Sequence, residues 1–161
     1  MTDHPLDPAA FRAALSRFAS GVTVLTCRTT AGTDLGMTAT AFTSLSLTPP
    51  LILACVDLDA TMAPHLTEGA PFAVHLLTAA QADWSARFAG AEADRFAGVP
   101  VTRGGGGVPL LPDVLGRLEC RVTARHPGGD HIIVVGAVAG VHLGEADPLL
   151  YYRGAYRRLA S

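Results

Sequence analysis

The sequence predicts a mainly β protein, an antiparallel sheet or barrel with helical insertions, and three observations carry that expectation. Runs rich in Val, Ile and Thr recur along the chain, separated by Gly, Pro and Asp clusters. They follow one another without the regular intervening helices that parallel strands require. The chain has 161 residues, 49% of them hydrophobic and 16% charged, enough apolar material for one domain spanning 1–161 with a real core.

Each element has its own warrant. Asp7 is a good N-cap and Pro8 fits the first helical position, so 7-DPAAFRAALSRFAS-20 reads as a helix with Phe11, Leu15 and Phe18 on one face and Gly21 as its stop. The alternating 21-GVTVLTCRT-29 is a strand, and 31-AGTDLG-36 turns the chain back into 37-MTATAFTSLSL-47. Thr48-Pro49-Pro50 breaks that run before the continuous apolar strand 51-LILACVD-57. A short helical patch follows around 61-TMAPHLTEG-69, where Pro64 is tolerated only in a first turn. Strand 71-PFAVHLL-77 leads to Thr78 and Gln81, a capping box opening the helix 79-AAQADWSARFA-89. Residues 91–97 read as one or two more helical turns, and 98–112, with Gly104 to Gly107, as a mobile surface loop. The chain closes with strands 117-RLECRVTARH-126, 131-HIIVVGAVAGVHL-143 and 148-PLLYYRGAYRRL-159. The sum is six or seven strands and two or three helices.

Composition excludes several classes. The formal charge is −2, with twelve arginines, no lysine and no basic stripe, so neither nucleic acid nor a membrane surface is an expected partner. No apolar run approaches a membrane span, and MTDHPLDPAAF has no leader-like character, so a cytoplasmic location is expected. Cys27, Cys55 and Cys120 are odd in number and lack C-x-x-C spacing, which reads as small core residues in a reducing compartment. Without lysine there is no Walker A loop, and no G-x-G-x-x-G follows a strand. The six histidines lack metal-binding spacing. The high apolar share points to a homodimer.

Four stretches stand out as candidate sites. In 36-GMTATAFTSLSLTPPL-51, hydroxyls alternate with small residues, which would let a flat ligand lie against backbone N–H and C=O groups; the same pattern fits a Thr/Ser-rich edge strand. In 54-ACVDLDAT-61, a strand ends in Asp57, Asp59 and Thr61 before a helical turn, a place for polar ligand groups or an ordinary N-cap at Asp59 or Thr61. Asp130 and His131 stand at a strand mouth, where an imidazole can stack on or bond a planar substrate and Asp130 can fix its tautomer, or where both simply serve a turn. Tyr151, Tyr152, Arg153 and Tyr156 form an aromatic–basic cluster suited to an adenine or nicotinamide ring, or to an interface.

Taken in order, 18-FASGVTVLT-26, 36-GMTATAFTSLSLTPPL-51, 54-ACVD-57, 72-FAVHLL-77, 87-RFAG-90 with 94-DRFAGV-99, 117-RLEC-120, 129-GDHIIVVGAV-138 and 149-LLYYRGAY-156 resemble the short-chain flavin reductases of the FMN-binding split-barrel type, the reductase components of two-component flavin monooxygenases. The resemblance implies a six-stranded antiparallel split barrel, a homodimer with flavin near its interface, and reduction of FAD or FMN by NADH or NADPH, with reduced flavin passed to a monooxygenase. It places Met37, Thr38, Ala39, Thr40 and Ala41 against the isoalloxazine edge, Ser44, Asp57 and Thr61 near the ribityl and phosphate part, and Phe88 beside the flavin. It also puts Ala54, Cys55 and Asp130 at the cofactor, His131 on the nicotinamide as the catalytic position, and Tyr152 and Arg153 close by. Thr40-Ala41 and Ala60 depart from the hydroxyl-bearing residues of many relatives. The alternative is a split-barrel protein that binds flavin without turning it over, as a sensor or store.

Overall fold

The computed structural model describes residues 6–160; Ser161 and the first five residues, part of the stretch expected to lack leader character, lie outside them. Asp7 caps helix α1 (Pro8–Leu15) by accepting from the Ala9 N–H at 3.0 Å. The helix stops at Leu15, short of Gly21. Its last turn closes through Ser16 to Phe18, and strand β1 (Ser20–Gly21) begins.

Seven strands build one antiparallel sheet in the order β3-β2-β6-β9-β10-β5-β4, where β2 is Thr23–Arg28, β3 Asp34–Ala39, β4 Phe42–Ser46, β5 Leu51–Asp57, β6 Pro71–Leu76, β9 Gly116–Gly128 and β10 His131–Leu143. The main sheet thus has seven strands rather than six. The extra one arises because 37–47 divides: the chain bends at Thr40 and Ala41, so β3 pairs with β2 while β4 pairs with β5 at the opposite edge. β7 (Thr102–Arg103) and β8 (Pro109–Leu110) form a small hairpin across the glycine run expected to be a loop. The C-terminal segment, read as one strand, folds back at Arg153-Gly154 into β11 (Leu150–Tyr152) and β12 (Ala155–Arg157). The chain is mainly β with two α-helices among the described residues.

The capping box forms as expected. Thr78 and Gln81 reciprocate, but the first turn, Ala79–Gln81, is tight 3-10 geometry before α2 (Ala82–Ala89). The patch after β5 is a single 3-10 turn at Ala63–His65, with Pro64 in its first positions and no side-chain cap from Asp59 or Thr61. Residues 91–97 form turns rather than helix.

Inward residues at period two, Ile52, Ala54 and Val56 on β5 and Ile132 and Val134 on β10, meet Leu25, Phe72 and Val74 in the main core. A second cluster of Val22, Val24, Leu77, Phe88 and Leu111 lies under α2. Cys27 and Cys120 are buried, and burial pushes both thiols up to about 12, as inert core residues require. One buried polar residue ties three segments together. His75 on β6 has Nδ1 3.0 Å from the Val24 carbonyl, while its Nε2 accepts the Leu111 N–H at 3.1 Å. A carbonyl only accepts, so the ring is neutral with its proton on Nδ1. Burial pushes its pKa down to about 4, with Arg117 adding to the effect and the Val24 bond opposing it.

Candidate functional site: a groove along the free edge of strand β3

β3 is an edge strand, bonded to β2 on one side only. The Gly36 carbonyl accepts from Arg95 Nη1 at 2.8 Å, so it points away from β2. Backbone groups two residues apart on a strand point the same way, so the Thr38 N–H and C=O also face the open edge. That edge is lined by three contiguous cavities, of about 220, 380 and 140 Å3. The first runs along Asp34 to Gly36. The second lies over Met37 and Thr38, between Phe88 and Ala89 on one wall and Asp57 to Met62 on the other. The third lies at Thr38 and Thr40, beneath Tyr151 and Tyr156. From Asp34 to Thr40 the groove follows roughly 20 Å of strand.

The walls are held by specific bonds. Ser85 on α2 is their hub: its carbonyl accepts the Thr38 hydroxyl at 2.6 Å and its Oγ accepts the Tyr156 hydroxyl at 2.8 Å. Tyr151 and Tyr156 meet edge to face with centroids 5.7 Å apart. Phe88 is buried, packed at 5.0 Å against Phe96, and both rings press on Gly36. A Cβ on Gly36 would stand 2.7 Å from Phe88 Cε1 and 3.1 Å from Phe96, so only glycine lets the strand approach α2 this closely. Gly36→Ala is expected to cost about 1–3 kcal/mol in a denaturant titration by overpacking this wall.

Behind the Asp57 wall of the second cavity, β10 lies beside β5 with His131 directly opposite Asp57. The Asp57 carboxylate accepts the Asp59 N–H at 2.8 Å and so shapes the turn into the cavity wall. His131 Nδ1 is 2.7 Å from Asp130 Oδ1, and this hydrogen bond, with the histidine's charge behind it, holds the Asp130 carboxyl below the usual range. With Nδ1 engaged, Nε2 is the ring atom left for another partner. The turn that presents the pair is Gly128-Gly129, with Gly129 at φ +75°.

The structure therefore brings together Met37, Thr38, Thr40, Asp57, Thr61 and Phe88, with Asp130 and His131 next to Asp57. Other expected residues stand apart. Ala39 and Ala54 turn their side chains into the core. Ala41 is exposed at the bend and contributes a carbonyl to the Cys55 N–H. Cys55 is half-buried on the outward face of β5 opposite Ile133, and Ser44 is exposed on β4 outside the three cavities. Tyr152 and Arg153 stack on each other, guanidinium carbon 5.3 Å from the ring centroid, whereas their neighbours Tyr151 and Tyr156 line the groove. Sequence reasoning did not single out Ser85, Ala89 or Arg95. Arg95 sits in 94-DRFAGV-99, and its extended reach to the Gly36 carbonyl has no periodic signature. Among the described residues, no group of three or more His, Cys, Asp or Glu side chains is placed to hold a metal ion.

Comparison with known proteins fits this architecture. A family model described as "Flavin reductase like domain" matches residues 15–160. The chain belongs to this flavin reductase-like family. The reductase component of 4-hydroxyphenylacetate 3-monooxygenase from Thermus thermophilus is 45% identical over 93% of this chain and 95% of its own. A protein of Rhizobium meliloti (strain 1021) named "Probable flavin reductase" is 39% identical over 97% of this chain, which spans 50% of that protein's length. The structure of the NADH:FAD oxidoreductase SgcE6 of Streptomyces globisporus C-1027, in complex with NAD and FAD fragments, superposes with a TM-score of 0.91 at 37% identity, covering 98% of this chain and 95% of that one. In this chain the unpaired edge of β3 borders the cavities rather than another strand.

Proposed function

We propose that this chain is an NADH-dependent flavin reductase that takes up FAD or FMN, reduces it, and releases it to a monooxygenase. The observation that carries the reading is the open edge of β3: a donor and an acceptor from Thr38, flat walls of Phe88 and Ala89, and His131 beyond Asp57. The heterocycle edge of a flavin presents alternating acceptors and a donor, which one strand's backbone complements. The relatives support the reaction, since one is a monooxygenase reductase component and another an NADH:FAD oxidoreductase.

The residues divide the work as follows. Thr38, fixed through Ser85, orients the ring edge, while Met37 and Phe88 exclude water from one face. His131, steered by Asp130, meets the nicotinamide carboxamide through Nε2. Bound together, nicotinamide and flavin supply the chemistry, a hydride passing from nicotinamide C4 to flavin N5. The protein's part is contact and orientation, which can account for a large share of the barrier reduction. NADPH is the competing donor, and kinetics with the two nicotinamides side by side separate them.

The same reading takes the sheet as closing into a split barrel and the chain as one domain over 1–161, working as a homodimer in the cytoplasm. Support for the dimer is apolar surface: Phe11, Leu15 and Phe18 on the α1 side, Leu45 and Leu47 after the bend, and Val141 and Leu143 on β10 are all exposed. The Cys55–Ile133 and Leu53–Val135 pairs on the outward face of β5 and β10 extend it. Among the described residues no helix is long and apolar enough to cross a membrane.

Anaerobic mixing with NADH and excess flavin, followed by ultrafiltration, tests reductase against flavin store. Reduced flavin in the filtrate, in multiple turnovers, is the expected result. Flavin retained and still oxidised would favour the non-catalytic reading.

A further inference from the structure

A cavity of about 630 Å3 lies apart from the β3 groove and shares no lining residue with it. Three chain segments wall it, 78–84, 113–114 and 142–146. They are stapled to one another. The buried Gln81 amide donates to the Pro112 and Asp113 carbonyls at 3.2 Å each. The Ala79 N–H donates to the Asp147 carbonyl at 2.8 Å and the Gly144 N–H to the Leu115 carbonyl at 2.9 Å. A Cβ on Gly144 would collide with the Val114 carbonyl oxygen, so the last two segments close on each other only with glycine there. The fold therefore fixes the shape of this cavity.

Its lining combines one aromatic wall with unpaired negative charge. Trp84 on α2 is half-buried and lines the cavity, with Ala80 and Val114 adding apolar surface. Asp113 and Glu145 bring two carboxylates, and among the described residues neither is ion-paired. Asp113 stands at φ +52°, in the left-handed region, and the Gln81 bonds to its own and the preceding carbonyl hold it there. No arginine lines the cavity; Arg117, opposite His142 in the β9–β10 ladder, lies 3.9 Å from Glu119. Carboxylates confined between apolar walls focus their field on the space between them and favour a cation there. Among the described residues no three acidic or imidazole groups are placed to share a metal ion, Asp113, His142 and Glu145 included. We infer that this cavity is a second binding site, for an organic cation: an ammonium group between Asp113 and Glu145, joined to an apolar body that lies on the Trp84 ring. Helix α2 stands between the two sites, with Trp84 at this cavity and Ser85 and Phe88 at the groove.

Trp84 is the only tryptophan of the chain, so its fluorescence reports occupancy of the cavity directly. The test titrates the full chain, without flavin, with phenethylammonium and with its uncharged analogue 2-phenylethanol. Phenethylammonium is expected to change the Trp84 emission and to saturate with a Kd of about 1 mM or tighter, with 2-phenylethanol at least about ten-fold weaker. Added salt should weaken the amine and leave the alcohol unchanged. A double variant, Asp113→Asn with Glu145→Gln, is expected to lose about ten-fold in amine affinity and none for the alcohol, with its circular dichroism and thermal midpoint showing that it folds. Trp84→Leu, read by calorimetry, should weaken the amine about five-fold or more. Equal affinity for amine and alcohol, or a double variant that binds the amine as tightly as the parent, would reduce the cavity to an apolar crevice and overturn the inference. No saturation below about 50 mM amine would overturn it as well. Displacement of the amine by FAD would move the amine into the groove and contradict a second site. A dimer that shields Trp84 from acrylamide and admits no amine would give the cavity to a second copy of the chain, and the inference would fail.

Discussion

Replacing His131 with alanine lowers kcat/KM for NADH roughly ten- to hundred-fold, about 1.4 to 2.7 kcal/mol of transition-state stabilisation, while flavin affinity changes little. The expectation follows from placement. His131 lies opposite Asp57 in the β5–β10 ladder, behind the wall of the second cavity rather than among the residues that line the groove. Its Nδ1 is committed to Asp130, which leaves Nε2 as the ring atom for a ligand. A carboxylate only accepts, so Nδ1 carries the proton and Nε2 is an acceptor for the carboxamide N–H. Asp130→Asn removes the carboxylate that steers the ring and should give a smaller loss in the same direction. Steady-state kinetics with NADH and flavin varied in turn reads this, and NADH kinetics unchanged in the alanine variant would remove His131 from the nicotinamide site.

The second large effect concerns stability. His75→Ala is expected to destabilise the fold by about 3–5 kcal/mol, because it opens a cavity and leaves the Leu111 N–H and the Val24 carbonyl unpaired in the interior. The same residue gives the protein an acid limit. Its folded pKa is about 4 against 6.5 for the free side chain, so between those values the unfolded chain binds the extra proton. The stabilisation is complete above pH 6.5 and is lost as pH falls toward 4, by roughly 3 kcal/mol in all. Denaturant midpoints measured from pH 7 to pH 4 should fall accordingly, and a His75→Leu variant, which cannot take up the proton, should show a flatter profile across that window.

His75 also shows what a sequence conceals. In 71-PFAVHLL-77 it interrupts an apolar strand and offers no motif; its purpose is visible only when Val24 and Leu111, distant in sequence, close on it. Strand β5 and strand β10, by contrast, were legible to the residue, because continuous apolar runs rich in Val and Ile stand there between proline, glycine and aspartate. The capping box at Thr78 was equally legible, since Gln81 lies at the spacing the motif requires. The break at Thr40-Ala41 was not. Thr, Ala and Phe continue the strand pattern through the bend, and only pairing with different partners, β2 and β5, reveals two strands. Within the groove, the small side chains alternating around Thr38 fitted a Thr/Ser-rich edge strand as well as a ligand platform, and β3 is an edge strand. Two neighbouring tyrosines were read alike, but strand alternation turns Tyr151 toward Thr40 and leaves Tyr152 stacked on Arg153. Arg95 was invisible because its role depends on a turn geometry between α2 and β7, where no periodicity operates.

The most direct measurement is NADH oxidation by the purified protein with FAD, FMN, riboflavin or no flavin added. The expected result is turnover that requires added flavin and saturates with it. Flavin binding without NADH oxidation under any of these conditions would contradict it, and would leave the groove along β3 as a store for flavin rather than a place where flavin is reduced.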